Sequence, residues 1–139
     1  VSDARPRDGF AAAMDVGHCA LAVPAPHITH PDAPLLKVVG RLLSIDHLLE
    51  EIRIKGGAYG AGCAHDSGSC MWQFYSFRDP WVKRTLDVYG GVIDYVRKAS
   101  WSQLEIDRAI IGSAKSAEEP IRPGSATGAA STATSAPPR

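Results

Sequence analysis

The sequence predicts an α+β fold, a mainly antiparallel sheet with helices packed on one face. Two patterns predict it: strand-like segments on either side of a glycine-containing turn, and long stretches in which apolar residues recur every three or four positions. The order along the chain is strand, helix, hairpin, helix, helix. Because a short turn joins the two hairpin strands, they run antiparallel, and the amphipathic helices then cover the sheet.

The first strand is predicted over residues 14–23 and ends at Pro24. A long amphipathic helix follows from Pro31, since proline suits the first turn of a helix. Its apolar stripe consists of Leu35, Val38, Val39, Leu42, Ile45, Leu49 and Ile52. Gly56 and Gly57 end the helix, and we expect one of them to adopt the left-handed conformation of a C-cap.

A hairpin is predicted next, with strands over residues 58–66 and 69–77 around the turn Asp66-Ser67-Gly68. On the second strand, alternation places on one face Trp72, Phe74 and Ser76, and on the other Met71, Gln73, Tyr75 and Phe77. Aromatic residues on both faces indicate a strand interior to a sheet that is covered at least partly on each side.

Two helices complete the predicted fold. Asp79 and Pro80 indicate the start of the first, because aspartate accepts hydrogen bonds from exposed amides and proline lacks an amide that would be unpaired there. Its apolar stripe is Val82, Leu86, Tyr89, Val92, Ile93 and Val96. A capping box, either Ser102-x-x-Glu105 or Ser100-x-x-Gln103, introduces the second, shorter helix.

The composition is that of one globular domain, with 139 residues of which 45% are hydrophobic and 22% charged. Residues 1–13 are predicted to be a flexible lead-in and 14–115 to form the domain. Residues 116–139 are almost entirely small, polar or proline. Their apolar surface is too small to offset an ordering cost of about 1–2 kcal/mol per residue, so this tail is predicted to be disordered.

Charge and cysteine content exclude several classes. Fifteen basic residues balance fifteen acidic ones along the chain, so neither a nucleic-acid footprint nor a patch for an acidic partner is visible. The three cysteines, Cys19, Cys63 and Cys70, are odd in number and lack C-x-x-C spacing, which argues against a disulfide framework and a thiolate zinc site. A reducing compartment fits best. Cys63 and Cys70 flank the predicted turn and are placed to face one another as two thiols.

The sequence shows neither the pattern of a transmembrane helix nor that of a targeting signal. No stretch approaches the roughly 18 consecutive apolar residues of a transmembrane helix. The first residues, Val-Ser-Asp-Ala-Arg-Pro-Arg, contain neither an initiator Met nor a signal-type apolar region, which predicts an internal fragment whose targeting segment would lie upstream.

The most distinctive stretch is Glu51-Ile-Arg-Ile-Lys-Gly-Gly-Ala-Tyr-Gly60, followed later by Ser-Phe-Arg-Asp-Pro at 76–80. This combination resembles the C-terminal half of the pitrilysin-like, inverted-zinc-motif metallopeptidases, and within them the presequence-protease branch. The resemblance covers most of residues 14–119. It implies that residues 14–115 form a partial pitrilysin-type peptidase domain. It is lost beyond Ala130, which predicts a truncated or altered C-terminus.

The resemblance implies that the catalytic zinc lies elsewhere. In this family, His-x-x-Glu-His and a distant Glu bind it in an N-terminal half, and the two halves close around a peptide. The implied partners of this chain are therefore that N-terminal half and an unstructured peptide, with no nucleic acid, no membrane, and no cofactor in the chain itself. The implied compartment is the mitochondrial matrix or the plastid stroma.

The same resemblance assigns substrate-binding roles to Arg53 and Tyr59, together with Gly56 and Gly57. An arginine presents a rigid fork of donors that suits peptide carbonyls. A tyrosine hydroxyl aimed at the scissile carbonyl would stabilise the negative charge that develops there in the transition state. Without the resemblance, a helix-terminal arginine usually pairs with carbonyl groups or solvent, and a strand tyrosine usually packs with its hydroxyl at the surface. The role of Arg78 stays open, with a place in the chamber wall as one option.

Two motifs are interpreted as structural. The glycine pair follows a helix and precedes a strand, the opposite of a phosphate-binding loop. His47-Leu-Leu-Glu50-Glu51 looks like the inverted zinc motif, but Glu51 stands where the second histidine is needed. His47 is therefore predicted to lie on a solvated helix face.

Three functional hypotheses follow. The leading one is a substrate-binding, non-metal-binding part of a zinc metalloendopeptidase that degrades short unstructured peptides such as targeting presequences, inactive without its other half. The second is a non-catalytic module in which an exposed sheet edge beside Arg53 and Tyr59 adds a peptide as an extra strand. The third is an inert truncated fragment, unstable because part of its domain is missing.

Overall fold

A computed structural model describes residues 8–118 and confirms the α+β class. The elements are strand β1 (Gly17–Pro24), helix α1 (Ala33–Leu43), its π-helical continuation π1 (Ser44–Ile54), strands β2 (Gly60–Asp66) and β3 (Met71–Asp79), and helices α2 (Val82–Lys98) and α3 (Gln103–Glu118). None of the helices in this range is both long and apolar enough to cross a membrane.

The three strands form an antiparallel sheet in the order β1-β3-β2, so the prediction that β3 is an interior strand is confirmed. The face of β3 that carries Trp72 and Phe74 packs on the helices. The core there also contains Leu43, Leu48, Ile52, Tyr89 and Val92. Burial of these apolar side chains supplies the main driving force for folding.

The opposite face of the sheet is open within residues 8–118, so the prediction of cover on both faces is wrong for this part of the chain. Tyr75 is 45% exposed. The Phe77 ring lies against Gly60 and the Tyr75 hydroxyl lies against Gly62, so neither glycine has space for a side chain. The aromatic rings therefore cover glycines of the edge strand, and no second layer is needed to account for them.

The long first helix changes its hydrogen-bonding period at Ser44, and this corrects the predicted apolar stripe. Leu35 and Ile45 are 61% and 60% exposed, whereas Leu43 and Leu48 are buried. The five-residue step between those two leucines fits a π-helix, which has more residues per turn than an α-helix. A stripe extrapolated at three- and four-residue steps therefore drifts off the buried face.

Asp79 is a buried anchor and not the N-cap that the sequence predicts. Helix α2 begins at Val82, after the N-cap residue Trp81. The Asp79 carboxylate is 1% exposed and accepts hydrogen bonds from the Ser76 hydroxyl at 2.7 Å, the Thr85 hydroxyl at 2.6 Å and the Trp81 backbone amide at 2.8 Å. These bonds tie the end of β3 to the first turn of α2.

Helix α3 begins with the predicted capping box. The Ser102 amide donates to the Glu105 carboxylate at 2.7 Å, and the Glu105 amide donates to the Ser102 hydroxyl at 3.4 Å. Helix α3 lies on α1 and continues to Glu118, three residues past the predicted end of the domain. The rest of the predicted tail, and residues 1–7 of the predicted lead-in, lie outside the described residues.

The three cysteines are free thiols, but Cys63 and Cys70 do not face one another as predicted. Cys63 lies opposite Phe74, and Cys70 lies in the turn beyond the last strand pair. The turn places four residues between the strands, which shifts β3 relative to the predicted register. Burial raises the pKa of the Cys63 thiol to about 11 and also raises that of Cys19, so both stay protonated at neutral pH.

Ser44 connects the first helix to the outer edge of β2. Its hydroxyl accepts from the Cys63 amide at 2.9 Å and donates to the Gly40 carbonyl at 2.7 Å, with the Cys63 carbonyl 3.1 Å away. Because Cys63 lies on an edge strand, these bonds satisfy backbone groups that would otherwise have no partner strand. The edge is therefore closed at this position.

We expect Ser44→Ala to lower the free energy of unfolding by about 1–3 kcal/mol, because the buried Cys63 amide loses its acceptor. The control is Ser116→Ala, whose exposed hydroxyl bonds only to the Gly112 carbonyl of its own helix. Denaturant unfolding of both variants measures the difference. If Ser44→Ala and Ser116→Ala have the same free energy of unfolding, water replaces the Ser44 hydroxyl at this edge.

Candidate functional site

The end of the long helix forms one side of the candidate site. The Gly57 amide donates to the Arg53 carbonyl at 2.8 Å, and the Ala58 amide donates to the Ile52 carbonyl at 3.1 Å. Gly57 has φ = 78°, which confirms the predicted left-handed C-cap. Gly56 is buried so close to the helix carbonyls that no side chain fits there. The chain therefore reverses tightly and enters β2 immediately after Tyr59.

An open concavity of about 600 Å³ lies at this reversal. It is lined by three polar side chains, Arg53, Tyr59 and Arg78, and by Val16, Ile54, Gly57 and Ala58. The predicted residues Arg53, Tyr59 and Gly57 are thus brought together. Gly56 does not line the concavity and supports it only through the helix end.

Tyr59 is held between two neighbours on β3. Its ring packs against Phe77, with the ring centroids 5.5 Å apart, and the Arg78 guanidinium carbon lies 5.6 Å from the Tyr59 centroid. The Tyr59 amide also donates to the Arg78 carbonyl at 3.4 Å. The side chain is 63% exposed, and its hydroxyl has no hydrogen-bond partner among residues 8–118. That hydroxyl is available to a ligand.

The concavity is positively charged. Arg53 and Arg78 are both exposed, and neither forms an ion pair within residues 8–118. The nearby acidic side chain of Glu51 is engaged elsewhere, by Lys55 at 2.7 Å and by Arg84 at 3.6 Å. The hydrogen bond from Lys55 holds the pKa of the Glu51 carboxyl below its usual value. No acidic residue therefore neutralises the two guanidinium groups that line the site.

This arrangement offers hydrogen-bond donors to acceptor groups. Two guanidinium groups and a phenol offer donors to carbonyl or carboxylate oxygens. In the part of the chain that the structure describes, no group of three or more His, Cys, Asp or Glu side chains is placed to hold a metal ion.

His47 is packed and not solvated as predicted. Its ring stacks on Tyr95 with the centroids 4.0 Å apart and the planes within 12°. Burial lowers the pKa of His47, although Glu51 and Asp46 oppose this shift. The imidazole is therefore part of the contact between π1 and α2.

Arg78 joins the site in a way that spacing alone does not reveal. The sequence shows only an arginine between an aromatic strand and Asp79-Pro80. That Arg-Asp-Pro junction is the one signal in the sequence, because Asp and Pro are turn residues and place the preceding arginine where the strand ends.

The family model described as the PreP C-terminal domain matches residues 32–132, which include the helix end, the hairpin and all three polar residues of the concavity. The chain belongs to the PreP C-terminal domain family. This supports the resemblance to presequence proteases, and the match ends close to Ala130, where the resemblance is lost.

Curated relatives agree with this membership. The chain is 36% identical over 98 residues to the mitochondrial presequence protease of Eremothecium gossypii, covering 70% of this chain. It is 36% identical over 108 residues, or 78% of this chain, to that of Danio rerio, and 32% identical over 112 residues, or 81%, to that of Yarrowia lipolytica. The matches span only 10–11% of the length of these PreP relatives.

We expect Gly57→Ala to lower the free energy of unfolding by roughly 1 kcal/mol, because an L-residue pays a steric cost in the left-handed conformation. Gly90→Ala is the matched control. Gly90 lies within α2 and has open space at its Cβ position, so alanine there should stabilise the helix by about 0.5–1 kcal/mol. Thermal unfolding of the two variants should shift in opposite directions, and a shift of the same sign would contradict the C-cap assignment.

Proposed function

We propose that this chain is the substrate-binding, non-metal-binding C-terminal portion of a zinc metalloendopeptidase that degrades short unstructured peptides such as targeting presequences. The single observation that carries the proposal is the open concavity lined by both Arg53 and Tyr59, whose side-chain donors have no hydrogen-bond partner among residues 8–118. Membership of the PreP C-terminal domain family supports it. The zinc and its ligands belong, in this proposal, to a separate N-terminal half.

Arg53 and Tyr59 have different roles in the proposal. The Arg53 guanidinium, at the end of π1, binds carbonyl groups of the peptide backbone through its fork of donors. The Tyr59 hydroxyl donates to the scissile carbonyl oxygen when negative charge develops on it. Gly57 lines the concavity and lets the helix end approach the peptide closely, because it carries no side chain, whereas the buried Gly56 only shapes the helix end behind it.

The proposed compartment is the mitochondrion. The names of the three relatives give this location and offer no support for a plastid. The free thiols of the described residues are compatible with a reducing matrix.

Strand addition at β2, the second hypothesis from the sequence, is less well supported. In the middle of this edge strand, the outward-facing amide of Cys63 already donates a hydrogen bond to the Ser44 hydroxyl. An incoming peptide strand would have to displace a bond that joins the helix to the sheet. Side-chain donors in the concavity therefore explain peptide binding better than a free edge does.

The direct test compares this chain with the longer protein that contains an N-terminal His-x-x-Glu-His half. The substrate is an unstructured peptide of presequence length, and cleavage is followed with and without a zinc chelator. We expect chelator-sensitive cleavage by the longer protein and none by this chain alone. Failure of the longer protein to cleave the peptide would overturn the proposal.

In the longer protein, Tyr59→Phe should reduce kcat by about a hundredfold while KM changes little, because the proposed hydrogen bond strengthens in the transition state. The measurement is steady-state kinetics on the same peptide. The matched variant is Tyr75→Phe. Tyr75 lies on β3 and, like Tyr59, is exposed, but it does not line the concavity. Unchanged kcat in Tyr59→Phe would remove Tyr59 from the mechanism.

Arg53→Lys should affect mainly KM. It keeps the positive charge but loses the planar fork, so KM should rise about tenfold with a smaller change in kcat. Arg97→Lys, on an exposed position of α2, serves as the control. An unchanged KM in Arg53→Lys would mean that Arg53 serves only the helix end.

A further inference from the structure

Arg78 occupies an irregular position in the sheet. In the pairing of β1 with β3, Gly17 lies opposite Asp79 and His18 lies opposite Phe77, so Arg78 has no partner residue. It is the extra residue of a β-bulge. Bulges re-aim side chains and are frequent beside functional sites.

The backbone conformation of Arg78 is unusual for its residue type. Its φ is 50°, in the left-handed region that glycine and asparagine tolerate best. The left-handed conformation gives an arginine no gain in folding stability. Such strain persists where the surrounding structure enforces it, and it often marks functional positions.

Three contacts hold the bulge in place. The buried carboxylate of Asp79 fixes the next residue through its bonds to Ser76 and Thr85. The Arg78 carbonyl accepts from the Tyr59 amide, and the guanidinium rests near the Tyr59 ring. Stacking on an aromatic ring restricts the guanidinium while leaving its N–H edges free for a ligand.

The charge of the concavity points to the class of ligand. Arg53 and Arg78 both line it, no acidic residue does, and neither arginine has an ion-pair partner within residues 8–118. One guanidinium is enough to bind a peptide carbonyl. A second, unneutralised guanidinium at the same site favours an anionic group, for which a planar bidentate fork is the best match.

We infer that Arg78 is a specificity-determining residue that binds a carboxylate of the peptide. The inference rests on the proposed function of this site as a peptide-binding surface. The carboxylate comes from one of two sources, the C-terminus of the peptide or an acidic side chain. The chemistry at Arg78 is the same for both, and suitably designed peptides separate them.

The test measures the affinity of the full 139-residue chain for three unstructured peptides that differ only at the C-terminus or at one internal position, by isothermal titration or by amide chemical shifts. The first peptide has a free C-terminus and no acidic residue, the second is amidated, and the third is amidated with one internal glutamate. We expect the first or the third to bind about tenfold more tightly than the second, because a charge-assisted pair is worth that much. The tighter peptide identifies the source.

Arg78→Asn is the decisive variant, because asparagine tolerates the left-handed conformation and carries no charge. This variant should keep the unfolding temperature of the wild type. It should bind all three peptides with the affinity that the wild type has for the second peptide, which carries no carboxylate. Arg97→Gln removes an exposed charge on α2 that lies 3.5 Å from Asp94 and outside the concavity, and it should bind as the wild type does. Arg78→Lys, which retains charge without the fork, should show an intermediate preference.

Two results would overturn the inference. One is equal affinity of the wild type for all three peptides, which leaves peptide binding itself intact. The other is an undiminished carboxylate preference in Arg78→Asn. If no peptide binds to the wild type at all, both this inference and the proposed function of the site are contradicted.

Discussion

The buried carboxylate of Asp79 is the constraint on which the site depends. At the junction of β3 and α2 it accepts hydrogen bonds from two side-chain hydroxyls and one backbone amide, and it is almost entirely buried. A polar group in such a place is stable only when it is hydrogen-bonded, so the local chain path is narrowly defined. The residue before it, Arg78, is therefore held in a bulge with its side chain beside Tyr59.

The second wall of the site depends on how the first helix ends. The π-helical stretch places Ile52 in the core and brings the helix to a stop at Gly56 and Gly57, where the chain can reverse without side-chain clashes. Arg53 lies on the last turn before that stop and Tyr59 just after it. Two unrelated local structures, a helix end and a bulged strand end, thus bring three donor side chains together, and the acidic residue nearby is already paired with Lys55 and Arg84. The result is a positive, acceptor-binding surface on a rigid base.

Local rules account for much of this fold. The left-handed glycine, the hairpin and the capping box of α3 each depend on residues close in sequence, and the sequence predicts them. The errors have longer-range causes. The stripe of the first helix fails at Ile45 because the helical period changes at Ser44, whose hydroxyl hydrogen-bonds to β2. The sequence predicts a helix terminus at Asp79 because its partner Thr85 is identifiable only once the helix packs against the strand. The bulge at Arg78 depends on the register with β1, which no local pattern specifies.

The claim that matters most is that an unstructured peptide binds in the concavity between the helix end and the bulge. Amide chemical-shift mapping of the isotopically labelled chain, titrated with an amidated peptide of presequence length, tests it without requiring catalysis. The account predicts that the largest shifts fall at residues 53–60 and 77–79, on the two walls of the concavity. Shifts concentrated instead in the apolar groove between α1 and α2, lined by Leu36, Val39, Ile93 and Val96, would contradict it.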